Sequence, residues 1–358
     1  MSIPFDHGGN VFAVARSLGV SPEDILDFSA SINPLGPAPG VKEALLSTFD
    51  RVMHYPDNDA DDLKLALATF HGVDPAHIAV ANGSTELIYL IPRLVAGRRG
   101  LIIAPPFSEY AKSLLRAGWE IDYLELRPEE GFSLSLAELE RRLGEGYDVL
   151  FLCNPGNPTG RLFPQGNVAE IVDLCRSRGP FLVLDEAFMD FCEGESAKRL
   201  VVGGGEGVVL RSMTKFFAVP GLRIGYAMAH ESVIGRIAAL REPWSVNTVA
   251  QVAGLASLAD RDYMERTIRY VAGERDFLAA GLAAFAGLKP YPSAVNYILV
   301  EIRTGLSAAE LKRALLKERI LIRDCANFHG LSERFFRVAV RTREENERLL
   351  AALTGRLI

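Results

Sequence analysis

Residues 148–160 of the chain read DVLFLCNPGNPTG. A short apolar run, residues 148–152, is followed at once by a loop of Asn, Pro, Gly and Thr. Near-continuous apolar runs of this length are typical of strands buried on both faces, as in a mostly parallel sheet. The stretch therefore predicts a buried strand whose carboxyl end carries polar side chains.

The same pattern of an apolar run followed by a polar loop recurs along the chain. The four other runs are residues 77–81, 100–104, 181–184 and 207–210. Between the runs, apolar residues recur at the i, i+3, i+4, i+7 spacing of an amphipathic helix, for example at Leu63, Ala66, Leu67 and Phe70. This alternation predicts an α/β domain whose mostly parallel central sheet is flanked by helices.

Composition changes along the chain predict three segments. Residues 1–45, rich in Pro and Gly, are expected to form an arm that covers another surface. Residues 46–245 carry the strand–helix alternation and are expected to form the large domain. Residues 246–358 combine Ala- and Leu-rich helical stretches with short strand-like runs, which predicts a small α+β domain.

The overall composition excludes several classes of protein. The chain has 358 residues, 39 Lys and Arg against 45 Asp and Glu, and a formal net charge of −6. No basic block indicates a nucleic-acid partner, and no apolar run approaches the ~18 residues of a membrane-spanning helix. The N-terminus has no secretory signal, and the four cysteines are too widely spaced for a zinc site. We therefore expect a soluble cytoplasmic protein with reduced thiols and no metal.

The loops after the five runs hold the residues that predict a ligand site, because ligands of open α/β sheets bind beyond the carboxyl ends of the strands. Gly83, Ser84 and Thr85 open a helix, and a helix start attracts anions. Ser212, Thr214 and Arg223 add hydroxyl groups and a guanidinium to the same anion site. These residues predict a phosphate-binding cradle.

The other loop residues suit an aromatic cation that carries the phosphate. Asp185 ends an apolar strand, where a carboxylate needs a partner such as a protonated ring nitrogen. Phe107 or Tyr110 could cover one face of such a ring, and Asn157 could donate to a ring oxygen. Lys215 supplies an amine whose pKa falls beside other cations, as Schiff-base chemistry requires. Taken singly, each of these residues could instead be a helix cap, a surface charge or a turn residue.

In order and spacing, these motifs resemble the fold-type I pyridoxal-phosphate (PLP) enzymes, specifically the class I/II aminotransferases. The resemblance rests on N-P-x-N-P-T-G, on the Asp that ends a strand and on S-x-T-K-x7-R-x-G. It implies that Lys215 binds PLP covalently and moves protons, that Asp185 pairs with the ring nitrogen and that Asn157 bonds the ring oxygen. It also implies that the cofactor phosphate is held by Ser84, Thr85, Ser212, Thr214 and Arg223.

Two further positions matter for the resemblance. In related histidinol-phosphate aminotransferases, a tyrosine of the neighbouring subunit reaches the cofactor phosphate, and Tyr55 matches it, which implies a homodimer. Many aminotransferases carry Tyr three residues after the ring-pairing Asp, whereas this chain has Phe188. Phe188 cannot hydrogen-bond the ring oxygen, so Asn157 would make that contact with less help.

Two arginines are candidate substrate ligands, because each interrupts or ends an apolar run where a guanidinium needs an anionic partner. The resemblance places Arg337 on the substrate α-carboxylate and Arg323 on a second anion such as a phosphate. An internal ion pair is the alternative for Arg323. Arg341 is expected to be structural.

The N-terminal arm indicates the substrate. His7-Gly8-Gly-Asn and the segment 26–36, which contains Asn33, resemble the start of the threonine-phosphate decarboxylases, which supply aminopropanol phosphate for cobalamin. The resemblance implies that His7, the Gly8 N–H and Asn33 contact a substrate phosphate. It predicts PLP-dependent decarboxylation of L-threonine O-3-phosphate, with histidinol-phosphate or related phospho-amino-acid aminotransfer as the alternative. A PLP-binding regulator is disfavoured, because residues 1–45 leave no room for a DNA-binding domain.

Overall fold

The computed structural model describes residues 7–303 and 305–354 as strands and α-helices that alternate over much of the chain. The strands are β1 (Leu26–Asp27), β2 (Ile78–Ala81), β3 (Arg99–Ala104), β4 (Glu120–Glu125), β5 (Val149–Cys153), β6 (Phe181–Asp185), β7 (Gly207–Ser212), β8 (Gly225–Ala229), β9 (Leu288–Pro290), β10 (Tyr297–Ile302), β11 (Ile320–Leu321), β12 (Arg323–Asp324) and β13 (Phe335–Ala339). The α-helices are α1 (Val11–Leu18), α2 (Pro39–Ser47), α3 (Asp61–His71), α4 (Gly83–Leu94), α5 (Ser108–Arg116), α6 (Leu136–Leu143), α7 (Gln165–Arg178), α8 (Lys198–Val202), α9 (Met213–Phe216), α10 (Glu231–Leu240), α11 (Thr248–Ala259), α12 (Arg261–Ala283), α13 (Ala308–Leu316) and α14 (Arg343–Leu353).

The larger lobe is built on a seven-stranded sheet with the order β2-β8-β7-β6-β5-β3-β4. Strand β8 is antiparallel to both of its neighbours, and the other adjacent strands are parallel. All five predicted runs are strands of this sheet, and all five point in the same direction. Their carboxyl ends, and the loops that follow, therefore meet at one edge.

Helices cover both faces of this sheet. Leu63 and Leu67 of α3 belong to the hydrophobic core on one face, and Leu87 and Ile91 of α4 belong to the core on the other. Residues of a strand alternate between the two cores, since successive side chains point to opposite faces. The predicted α/β fold class with a mostly parallel central sheet is confirmed.

The smaller lobe contains a four-stranded antiparallel sheet with the order β12-β13-β10-β9. Helices α13 and α14 pack on it through a core of its own, which includes Leu311 and Leu349. The N-terminal segment belongs to this lobe, because β1 pairs in parallel with β11. The Phe28 N–H donates to the Leu321 carbonyl, and the Phe28 carbonyl accepts from Ala339, both at 2.8 Å.

The change from one lobe to the other lies further along the chain than the expected boundary at residues 245 and 246. Helix α11 packs against α2 and α3 of the large lobe. Helix α12 then passes between the two hydrophobic cores: Tyr263 and Val271 lie in the large-lobe core, whereas Leu278 and Leu282 lie in the small-lobe core. A single long helix thus connects the lobes.

A buried ionic network lies beside the strands that carry the ligand loops. Arg211 of β7 is fully buried and donates to Glu186 at 3.0 Å, to Asp190 at 3.3 Å and to Glu193 at 2.7 Å. Glu186 is also fully buried and directly follows Asp185. Because buried carboxylates are costly without a cation, Arg211 is the residue on which this network depends.

We expect Arg211→Met to lower the free energy of unfolding by about 3–5 kcal/mol, because it leaves buried carboxylates without a partner. Arg236→Met is the matched control, since Arg236 pairs with Glu206 at 3.1 Å on the surface. That variant should change the free energy of unfolding by less than about 1 kcal/mol. Urea unfolding followed by circular dichroism measures both values, and equal losses would contradict the assignment.

Candidate active site

A cavity of about 230 Å³ lies at the carboxyl ends of the central strands, where the small lobe and the N-terminal segment meet the large sheet. Most of the residues proposed from the sequence line it. They are His7, Gly8, Ser84, Thr85, Phe107, Asn157, Asp185, Ser212, Thr214, Lys215, Arg223, Arg323 and Arg337. Gly83, Asn33 and Tyr55 do not line it.

One end of the cavity has the donors of an anion site. Ser84 and Thr85 lie in the first turn of α4, and the hydroxyl groups of Ser212 and Thr214 lie 2.8 Å apart. Gly83 has a φ of 74°, and a Cβ there would come within 2.5 Å of Arg223 Nη2. Glycine at this position therefore allows the guanidinium to lie against the helix start. The arrangement suits a phosphate group.

Asp185 is a buried carboxylate at the end of β6. Its Oδ2 accepts a hydrogen bond from the Tyr110 hydroxyl at 2.6 Å, and its Oδ1 accepts from the Ala187 N–H at 2.9 Å. Burial raises the pKa of Asp185, while these two hydrogen bonds act in the opposite direction. A cationic donor in the cavity would favour the ionised form further.

Lys215 lies in α9, a single turn that follows β7. Its amine forms no hydrogen bond or salt bridge with the described residues. Burial and the positive charges of Arg223 and Arg337 lower the pKa of Lys215 to about 8, against the opposite effect of Asp185. The neutral, nucleophilic form of the amine is therefore more populated near neutral pH than on an ordinary lysine, although the protonated form still dominates.

Arg337 of β13 is buried and faces the cavity. Its Nη1 donates to Asn157 Oδ1, and its Nη2 donates to the Ser29 carbonyl at 3.1 Å. The Nε atom has no partner, and burial lowers the pKa of the guanidinium. Among the described residues, no carboxylate lies within salt-bridge distance of Arg337, so its charge is available to an anionic ligand.

Arg323 and His7 of the N-terminal segment lie on the same side of the cavity, since Arg323 is close enough to lower the pKa of His7. The Arg323 Nη2 donates to Asn327 at 2.7 Å, and its guanidinium lies 5.1 Å from the centre of the Phe328 ring. Gly8 packs so closely that a Cβ would lie 2.1 Å from the Ser29 carbonyl oxygen. His7, Gly8 and Arg323 all line this side of the cavity.

The two aromatic candidates for covering a cofactor ring have different surroundings. Tyr110 is buried, stacks on Phe151 with ring centres 4.9 Å apart and uses its hydroxyl on Asp185. Phe107 is half-buried and meets Tyr110 edge-on. Phe107 is therefore the ring free to cover a ligand, while Tyr110 holds the carboxylate.

The loop that carries Asn157 is fixed from behind by an aromatic pair. Phe188 packs edge-on against Tyr297, with ring centres 4.9 Å apart, and the Tyr297 hydroxyl donates to the Gly156 carbonyl at 2.7 Å. The Asn157 amide nitrogen donates to none of the described residues, which leaves it available to a ring oxygen.

Asn33 departs from the sequence-based expectation of a substrate contact. Its Nδ2 lies 2.8 Å from the Phe216 carbonyl, 2.8 Å from the Tyr263 hydroxyl and 2.9 Å from the Thr267 hydroxyl. Its Oδ1 accepts from the Leu35 N–H. All polar atoms of the side chain are thus used in joining the N-terminal segment to α9 and α12, and Asn33 has a structural role.

Tyr55 lies outside the cavity of its own chain. Its side chain is 79% exposed and stacks on Trp244 with ring centres 4.7 Å apart. Leu46, Phe49 and Met53 are also exposed in the same part of the sequence. Within the described chain, Tyr55 therefore makes no contact with the cavity.

The sequence analysis missed several residues that shape the cavity. Ser31 lines it, and the buried Ser31 hydroxyl has no hydrogen-bond partner. Asn327 and Phe328 line it beside Arg323. The apolar run 26–28 and the polar residues after it were the available signal for Ser31, since they follow the same strand-then-loop pattern. No local pattern marks Asn327.

Comparisons with known proteins place the chain in a family. A model of the family "Aminotransferase class I and II" matches residues 23–353. The chain belongs to this family. It is 42% identical to threonine-phosphate decarboxylase from Salmonella typhimurium over 349 residues, which are 97% of this chain and 95% of that protein. The predicted resemblance to these decarboxylases is confirmed.

Solved structures give the same fold. Histidinol-phosphate aminotransferase from Clostridium acetobutylicum superposes with a TM-score of 0.87 at 27% identity, and L-threonine-O-3-phosphate decarboxylase from Porphyromonas gingivalis with 0.82 at 29%. Each comparison covers 93% of this chain and 99% of the other. Backbone similarity therefore does not separate the two activities.

The cavity fits PLP, the cofactor of this family. The anion cradle suits the PLP phosphate, Asp185 suits a protonated ring nitrogen, and the unpaired amine of Lys215 suits the aldehyde carbon. Among residues 7–303 and 305–354, no helix is long and apolar enough to cross a membrane. No cluster of His, Cys, Asp and Glu in those residues could hold a metal ion.

The lowered pKa of Lys215 predicts how the PLP-free protein captures PLP. Only the neutral amine attacks an aldehyde, so the capture rate should rise as the pH increases through about 8 and then level off. Stopped-flow absorbance of the bound cofactor measures this rate. Lys215→Ala should give no such absorbance band, and a midpoint near the ordinary lysine pKa would contradict the assigned environment.

Proposed function

We propose that the chain decarboxylates L-threonine O-3-phosphate to (R)-1-amino-2-propanol O-2-phosphate and CO₂ in cobalamin biosynthesis. The observation that carries the proposal is that His7 and Gly8 of the N-terminal segment line the same cavity as Arg323 and Arg337. None of these four residues belongs to the anion cradle at α4. The cavity thus offers positive groups for a substrate phosphate and a carboxylate in addition to the cofactor phosphate.

The comparison with the Salmonella relative supports the same substrate, since similarity extends over 97% of this chain. The motif His7-Gly-Gly-Asn lies in the segment that the sequence analysis associates with threonine-phosphate decarboxylases. Cationic and N–H donors in an enclosed site select phosphorylated substrates, because unphosphorylated analogues leave those donors unpaired.

When bound, PLP withdraws electrons from the bonds at the substrate Cα. In this proposal Ser84, Thr85, Ser212, Thr214 and Arg223 hold its phosphate, and Phe107 covers one face of its ring. Asp185 keeps the ring nitrogen protonated, and the Tyr110 hydroxyl holds the Asp185 carboxylate in place. Asn157 donates from its amide nitrogen to the ring oxygen.

Arg337 decides which bond at Cα breaks. Its guanidinium is fixed by Asn157 and by the Ser29 carbonyl, so a carboxylate bound to it has a defined direction. For decarboxylation, Arg337 would direct the bond from Cα to the carboxylate so that bound PLP would weaken that bond rather than the C–H bond. The carboxyl group then leaves as CO₂, and the electron pair of the broken bond remains at Cα until a proton arrives.

Lys215 is the residue that supplies this proton. Its amine has a pKa of about 8 in the described structure and is therefore mostly protonated at neutral pH. Burial among Arg223 and Arg337 makes that proton easier to give away than one on a surface lysine. Protonation at Cα completes the reaction without an amino-group acceptor.

Parallel assays of CO₂ release and 2-oxoglutarate-dependent amino transfer test the proposal. We expect CO₂ from L-threonine O-3-phosphate and no transfer of its amino group. Arg323→Gln should raise KM for this substrate about tenfold or more, because it removes a charge-assisted contact to the phosphate. Amino transfer from histidinol phosphate, together with no CO₂ release from L-threonine O-3-phosphate, would instead establish the alternative, a histidinol-phosphate aminotransferase.

The proposed enzyme is a homodimer in which Tyr55 serves the neighbouring active site. The exposed position of Tyr55 and the exposed apolar residues Leu46, Phe49 and Met53 support this arrangement. We place the enzyme in the cytoplasm, where its four cysteines, none of which forms a disulfide in the described structure, would stay reduced.

Mixed dimers test the Tyr55 assignment. Neither Tyr55→Ala nor Lys215→Ala homodimers should be active at limiting PLP. A heterodimer of the two has one site with Lys215 and the neighbouring tyrosine, and it should recover about half of the wild-type activity of a dimer. No recovery on mixing, with heterodimers demonstrated by mass, would show that Tyr55 acts within its own chain.

A further inference from the structure

Glu109, at the start of α5, is a buried carboxylate outside the set of residues assigned above. It is 6% exposed and follows Phe107 by two residues. Its Oε2 accepts a hydrogen bond from the Tyr89 hydroxyl at 2.6 Å. Its Oε1 accepts from Lys112 Nζ at 2.8 Å and lies 2.9 Å from His7 Nε2. One carboxylate thus joins α4, α5 and the N-terminal segment.

The His7 ring is held between this carboxylate and the cavity. It packs against Phe107, with ring centres 5.6 Å apart at a tilt of 45°, and it lines the cavity beside Arg323. The backbone behind His7 is fixed as well, since the Gly9 N–H donates to the Ser29 hydroxyl at 2.8 Å. Because His7 Nε2 contacts Glu109, this contact also fixes the orientation of the rest of the imidazole ring.

We propose that Glu109 is a positioning residue that fixes the imidazole of His7 at the cavity and favours its cationic form, so that His7 binds the substrate phosphate. This inference rests on the proposed function, because a phosphate is the ligand that a cationic imidazole beside Arg323 would serve. Glu109 itself does not touch the substrate. It acts through the orientation and charge of His7.

The groups that face His7 have opposing effects on its charge. Burial lowers the pKa of His7, the nearby charges of Lys112 and Arg323 lower it further, and Glu109 raises it through both its charge and its hydrogen bond. Within the described structure, Glu109 is therefore the group that opposes loss of the proton. Removing its charge must shift the titration of His7 to lower pH.

Histidine side-chain NMR of the PLP-bound enzyme tests this assignment directly. The chain has six histidines, and the signal that disappears in His7→Gln identifies His7. In Glu109→Gln the pKa of His7 should fall. In Lys112→Gln it should rise, because a neighbouring positive charge is lost. The second variant keeps the test decisive if Glu109→Gln does not fold.

Kinetics separate a positioning role from a general structural role. Glu109→Gln should raise KM for L-threonine O-3-phosphate about threefold or more while kcat changes less, since a hydrogen bond to a charged group is lost. The rise should be largest at a pH between the His7 pKa values of the variant and the wild type, and smaller at higher pH, where His7 has lost its proton in both proteins. Tyr89→Phe is the matched control: it removes a partner of the other oxygen of Glu109 and should change KM less than about twofold.

A double variant completes the test. If Glu109 acts through His7, Glu109→Gln should add nothing to the KM of His7→Gln. Additive effects, an equal effect of Tyr89→Phe or an unchanged pKa of His7 would each overturn the inference. Should the wild-type enzyme release no CO₂, the proposed function fails, whereas the NMR titration and KM for histidinol phosphate still decide the role of Glu109.

Discussion

The confinement of positive charge in one small cavity is the constraint on which the rest of the site depends. Lys215, Arg223 and Arg337 all have pKa values lowered by burial, and the two arginines lower that of Lys215 further. Asp185, whose charge raises the pKa of Lys215, already accepts a hydrogen bond from Tyr110. Anionic groups of a cofactor and a substrate relieve this repulsion, although the chain as a whole carries a net charge of −6.

The sequence was sufficient to predict the central strands of the large sheet and most of the residues that line the cavity. The five apolar runs are long enough, and buried enough on both faces, to be recognised as strands. Because these five strands run in the same direction, the polar loops that follow them lie at one edge of the sheet. Two strands of the seven-stranded sheet were missed for physical reasons. Strand β4 lies at an edge and alternates charged with apolar residues, and β8 is a short Gly- and Ala-containing segment that indicates no strand by itself.

Contacts between distant segments account for the remaining differences. Asn33 resembles a ligand residue in sequence, but its amide is used by Phe216, Tyr263 and Thr267, which are more than a hundred residues away. Tyr110 could equally have been a stacking ring, and only its 2.6 Å contact with Asp185 assigns its role. Such pairings depend on how whole lobes pack, and no local pattern contains that information.

The pairing of β1 with β11 also governs when the protein can complete its fold. Leu26 is synthesised well before its partner Ile320, which lies 294 residues further along the chain (320 − 26). The strands of the large sheet all precede residue 230, so this sheet can form while synthesis continues, whereas the N-terminal segment has to wait for β11. The residues that recognise substrate are therefore ordered last, and a nascent chain remains without a closed substrate site until its C-terminal lobe has emerged.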